Sequence, residues 1–195
     1  RTVSDLLERR AELSEMKSQE AASLQAEIDQ ALATPTVGNE PELIKRADFL
    51  IEAEVRALAS EERRRIVLEG LASLGYEVSE GMATAWVNDG RVVLRKATSP
   101  GYGVELSGGS QFDLLQVRAV GIGNPTETRD SSRDRDMETI WCGEFERLQS
   151  LVGKSGGSLS IESARPVGQF PLKVIPDLGA SHVIDDVTTI RHLTR

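Results

Sequence analysis

Cys142 is the one side chain in this 195-residue sequence with the chemistry of a strong nucleophile, and His182 and His192 are its only histidines. A Cys/His pair would need the tail carrying both histidines to fold back onto the amphipathic segment that holds Cys142. The pattern instead predicts a small, buried core cysteine beside Trp141. Two histidines ten residues apart without a patterned acidic pair make a poor metal site, and a single cysteine rules out a Cys-rich zinc centre and an intramolecular disulfide. Gly153-Lys154-Ser155 has the end of a phosphate-binding loop, but Leu148 stands where the earlier glycine belongs. The segment also ends a helix instead of joining a strand to one. Gly101-Tyr102-Gly103 lacks the third glycine of a dinucleotide fingerprint and is explained by turn chemistry.

The remaining constellation is acidic and lies on predicted strands. Glu105, Asp113 and the run Gln116-Val117-Arg118 place carboxylates near a basic residue, an arrangement that resembles the PD-(D/E)xK nucleases over these few positions. That chemistry needs converging carboxylates to hold Mg²⁺, and Gln and Arg stand here where Glu and Lys belong. No catalytic residue, metal site or cofactor is therefore assigned. Arg91, Arg95, Glu105, Gln116 and Arg118 are predicted to share the polar face of a sheet, and they are the candidate ligand or partner face.

Three groups of elements must position these residues. The first is a helical arm over 1–59. Val3 to Leu32 reads as one amphipathic helix, with Leu6 and Leu13 on one seam and Ala21, Leu24, Ile28 and Ala31 on a second that is out of heptad phase with it. Thr34 to Asn39 breaks it, and a second helix carries a stripe of Leu43, Ile44, Ala47, Leu50, Ile51, Glu54, Val55 and Leu58. The expectation is a helical hairpin or short coiled-coil arm, with Leu6, Leu13, Leu24, Ile28, Ile51 and Val55 as assembly residues and a homodimer as one outcome.

The second group is a compact α+β domain over 60–176, an antiparallel β-meander covered by helices. Arg63 to Leu74 is predicted helical, with Ile66, Val67, Leu71 and Leu74 on one side and Gly75 as its stop, whether or not it is continuous with the helix before Ser60. Tyr76–Val78 and Met82–Val87 are predicted strands, the latter forming a hairpin with 91–96 through Asn88-Asp89-Gly90. Further strands are expected at 102–106, 112–120 and from Leu159, a polar surface loop at 121–135, and a covering helix at 136–152. Pro166 to Pro176 reads as an extended edge segment. The third group, 177–195, is predicted to be a weakly ordered or partner-docking tail.

Charge narrows the partners. Residues 1–80 carry a net −7 and residues 81–195 a net −1. An acidic surface repels phosphate backbones and anionic lipids, so nucleic acid and membrane are disfavoured and protein partners are expected. The single cysteine, the absence of a long apolar run and the absence of a secretion signal point to the cytoplasm. The functional expectation is a non-catalytic accessory or adaptor protein that assembles through its helical arm and holds a further component with its α+β domain. The alternatives are a divergent metal-dependent nuclease using the polar sheet face and a peptide-binding chaperone.

Overall fold

The computed structural model describes residues 1–34, 38–108 and 114–177. It is an α+β structure with two compact units, Arg1–Arg64 and Arg65–Arg195. Phe112, Asp113, His182, His192 and nearly all of the predicted tail lie outside the described residues.

The first unit is helical. Helix α1 (Thr2–Glu15) and α2 (Gln19–Ala33) replace the single long helix expected from the sequence. Met16 turns extended, and the Ser18 hydroxyl then caps α2 by accepting a hydrogen bond from the Ala21 amide at 3.1 Å. The phase shift between the two apolar seams is the trace of this break, which needs neither Gly nor Pro because a serine cap suffices. Helix α3 (Glu40–Ser73) follows and runs through Ser60 without interruption. Leu6, Leu13, Ala21, Leu24, Ile28, Leu43 and Ala47 form the buried core of this unit. Its ion pairs fix the same pairing of helices: Arg9 to Asp48 at 2.7 Å, Arg46 to Glu27 at 2.6 Å, and Arg10 to Asp29.

The second unit carries the last turns of α3, then α4 (Met82–Asp89), β1 (Arg91–Arg95), β2 (Tyr102–Gly108), β3 (Leu115–Ile122), α5 (Ser131–Lys154) and β4 (Val174–Ile175). The sheet order is β1-β2-β3-β4, with the first three strands antiparallel and β4 parallel to β3. Val92, Leu94, Val104 and Leu106 cover one face of the sheet and pack with Val67, Leu71, Trp86, Trp141, Leu148 and Val152 from the helices. The expected two-layer arrangement is present, with α4 as a third covering helix.

Several local expectations are corrected. Met82–Val87 is a helix, not a strand, so Asn88-Asp89-Gly90 ends α4 instead of turning a hairpin. A glycine in the left-handed region serves both a primed turn and a helix C-terminus, and Gly90 has φ +69°. In so short a segment Met82 and Trp86 fit a helical i, i+4 pair as well as an alternating strand, and burial of Trp86 in the core decides between them. The real hairpin joins β1 to β2. Tyr76–Val78 contributes only a bridge from Tyr76 to Lys96, and no strand forms around Leu159, whose side chain nevertheless packs on the core. The polar loop is shorter than expected, because β3 runs to Ile122 and Asp130 caps α5, accepting from the Ser132 amide at 2.9 Å and the Arg133 amide at 3.3 Å.

Leu24 is enclosed by its own unit, so Leu24→Ala should destabilise that unit by about 2–5 kcal/mol through lost contact and a cavity. Chemical denaturation followed by circular dichroism measures this; a change within error would place Leu24 outside the core.

Candidate functional site

Cross-strand register decides which side chains meet. Arg91, Ser107 and Gln116 form one row across the sheet, Val93, Glu105 and Arg118 the next, and Arg95, Gly103 and Val120 the third. Residues paired directly across strands lie on one face, so Arg91, Arg95, Glu105, Gln116 and Arg118 share the face turned away from the helical core. Arg91, Gln116 and Arg118 are exposed, whereas Glu105 is buried with 1% of its surface accessible.

A carboxylate so enclosed must be paired. Arg118 donates from Nε to Glu105 Oε1 at 2.7 Å, and Lys173 donates from Nζ to Oε2 at 2.8 Å and Oε1 at 3.1 Å. Burial pushes the Glu105 carboxyl up, but the hydrogen bonds from Lys173 and Arg118, with their charges, outweigh it and the net direction is down. Glu105 is thus an ionised, internally neutralised group, a poor general acid or base. Lys173, which precedes β4, was not among the residues singled out from the sequence. The only signal for it there was its place in the Pro-rich edge segment. Arg95 pairs with Asp177 at 2.7 Å.

A second polar centre lies on the opposite, helix-covered side. Glu144 of α5 accepts hydrogen bonds from the Tyr76 hydroxyl and the Lys96 ammonium. Burial, then the bond to Glu144, raises the Tyr76 phenol above its ordinary value. Trp141 packs edge-on to Tyr76, with centroids 6.1 Å apart and planes at 88°. These residues, with Ser99 and Tyr102, line a cavity of about 20 Å³, room for one water. Close by, the Tyr102 hydroxyl donates to Asp134 at 2.7 Å, and Arg129 donates to the same carboxylate at 2.9 Å. Burial pushes Asp134 up, but the bonds from Arg129 and Tyr102 bring its net direction below the ordinary value. The Arg129 and Arg133 guanidiniums stand over the Tyr102 ring, 4.9 and 5.4 Å from its centroid. Gly121 makes room for this, since a Cβ there would come within 2.6 Å of the Arg129 guanidinium carbon.

Cys142 is exposed, which corrects the buried-core expectation: α5 turns Trp141 inward and the next residue faces solvent. Of the expected assembly residues, Leu6, Leu13, Leu24 and Ile28 are buried in the first unit's own core, Ile51 is half-buried against it and Val55 is exposed. Among the described residues no group of three His, Cys, Asp or Glu side chains can hold a metal ion, and no helix is long and apolar enough to cross a membrane.

The lowered Glu105 carboxyl has a signed consequence. Its contribution to stability is fully present above the ordinary value of 4.5 and is lost as pH falls through the lower folded value. Glu105→Gln should flatten the acid limb of a stability-against-pH profile and cost about 1–3 kcal/mol at neutral pH; an unchanged acid limb would show that the ion pairs contribute nothing. Cys142 should react with a thiol reagent in the native protein before unfolding, with Cys142→Ala leaving the melting temperature unchanged, and slow labelling that tracks unfolding would contradict its exposure. Compared with known proteins, the chain matches no family model, no curated protein and no solved structure.

Proposed function

We infer that the chain is a non-catalytic adaptor, which assembles with a second copy of itself through α3 and holds a further protein component with its α+β unit. The observation that supports this reading is the apolar stripe of α3. Leu43, Ile44, Ala47, Leu50 and Ile51 pack into the core of the first unit, and the same stripe continues at helical spacing to Val55 and Leu58, which are 60% and 56% exposed. Helices α1 and α2, at 14 and 15 residues, are much shorter than the 34-residue α3. Glu52, Arg56 and Glu61 flank the uncovered part, so both charge signs are available to a two-fold contact in which each copy offers the same surface.

Charge agrees with protein partners over nucleic acid. The chain carries a formal −8, and its sheet-face carboxylate Glu105 is held by two cations of its own chain instead of being left to bind Mg²⁺. Among the described residues no group of carboxylates converges as the nuclease alternative would need.

Sedimentation of the wild type should give a mass above one chain at micromolar concentration, and Val55→Asp/Leu58→Asp should return it to one chain without loss of helix content. Phe49→Asp, on the opposite face of α3, should leave the mass unchanged. A wild-type protein that stays monomeric at these concentrations would refute self-assembly through α3.

A further inference from the structure

Strand β3 has an open side. The Ile122 amide donates inward to Gly101 at 2.9 Å, whereas the Gly121 amide donates outward to the Lys173 carbonyl at 2.9 Å and the Gly123 amide outward to the Ile175 carbonyl at 3.0 Å. Backbone groups alternate along a strand, so the amides and carbonyls of Leu115, Val117 and Ala119 also point outward. Strand β4 is two residues long and pairs only with Gly121 and Ile122. Before Lys173, which bonds to Glu105 and Gly121, the chain between α5 and β4 makes its described hydrogen bonds to α5 or within itself: Gly157 to Val152, Gln149 to Leu159 and Gly168 to Glu138. Among the described residues, the outer edge of β3 from Leu115 to Ala119 has no strand beside it.

Folded proteins usually blunt such an edge with Pro, an inward charge, a bulge or a covering element. No Pro and no bulge stands between Leu115 and Ala119, where the β2–β3 register runs unbroken from Gly108↔Leu115 to Tyr102↔Gly121, and the one charge there, Arg118, is bonded to Glu105 of the neighbouring strand. The other edge of the sheet differs: the Glu77 amide donates to the Arg95 carbonyl at 2.8 Å, tying down one end of β1, and α4 packs beside that strand.

We propose that this edge takes up an extended segment of a partner protein as an added strand, with acidic and apolar side chains alternating along it. This rests on the reading that the α+β unit holds a further protein component, and it names that component's chemistry. Backbone pairing to Leu115, Val117 and Ala119 supplies affinity, and the alternation supplies selectivity. On one side the added strand lies beside Leu115, Val117 and Ala119, which are only partly buried. On the other it lies beside Gln116 and Arg118, with Lys173 on the same polar face. Two cations share the single Glu105 carboxylate there, which leaves a local charge of +1, and the exposed Arg91 adds to it. An acidic residue meets that surplus and a basic one is repelled.

The test uses the full chain and two blocked nine-residue peptides, one alternating Glu with Val and one alternating Lys with Val. In the free protein the Val117 and Ala119 amides should exchange with solvent at least about tenfold faster than the Arg118 and Val120 amides, and slow by about tenfold on adding the Glu/Val peptide. The Lys/Val peptide should bind more weakly. Gln116→Glu should weaken the Glu/Val peptide a few-fold by adding like charge at the rim, and Val117→Pro, which removes one outward donor, should abolish binding. Repeating the titration in Val55→Asp/Leu58→Asp separates this edge from the proposed α3 contact, since the peptide should bind that variant equally well. The proposal is overturned by Val117 and Ala119 amides already protected in the free protein, by equal binding of both peptides, or by unchanged binding to a folded Val117→Pro. Protection that rises with protein concentration alone also overturns it, because a second copy is then the occupant.

Discussion

A carboxylate buried in the middle of a sheet governs the α+β unit. Glu105 sits on the central part of β2 with almost none of its surface accessible. Leaving it unpaired there would cost several kcal/mol. Arg118 answers from the neighbouring strand, directly opposite in the β2–β3 register, and Lys173 answers from the chain that has returned after α5. The second contact fixes the C-terminal segment to the sheet just before it forms β4. One charge therefore constrains strand register and placement of the last strand together, because a one-residue slip of β3 would move Arg118 to the other face.

The same logic operates on the covered side, with different partners. Glu144 projects from α5 toward Tyr76, which follows α3, and Lys96, which follows β1. Asp134 gathers Tyr102 and Arg129 over Gly121. Each carboxylate crosses between elements distant in sequence, so each selects one packing of helices on the sheet from the many that apolar contact alone would allow. Because each acid is bonded to cations or hydroxyls of its own chain, these groups act as positioning elements.

The helical unit is built on a different balance. Its core is aliphatic and small, and its ion pairs lie at the surface, where salt screens them and their net value is small. Stability there comes from burying Leu6, Leu13, Leu24, Ile28 and Leu43, each contributing about 1.5–3 kcal/mol relative to exposure. Such a core extends only as far as its helices do. Helix α3 outruns both partners, which leaves Val55 and Leu58 on an otherwise buried stripe exposed.

The amino-acid sequence carries the α+β class, the apolar stripes of α3 and α5, the stop at Gly75 and the polar face shared by Arg91, Arg95, Glu105, Gln116 and Arg118. These are periodic or local signals, carried by side chains a few residues apart. It could not determine that Met82–Asp89 is a helix, because an eight-residue segment with alanine at two positions satisfies both periods and only the burial of Trp86 chooses. Nor could it show that Ser18 caps a new helix, since serine is common inside helices as well as at their starts. The partnership of Glu105 with Lys173, the enclosure of Glu144 by Tyr76 and Lys96, and the short β4 that leaves β3 open were decided by tertiary structure alone. All three join residues far apart in the chain, and the strength of a charge–charge contact depends on burial and distance, which no spacing along a sequence encodes.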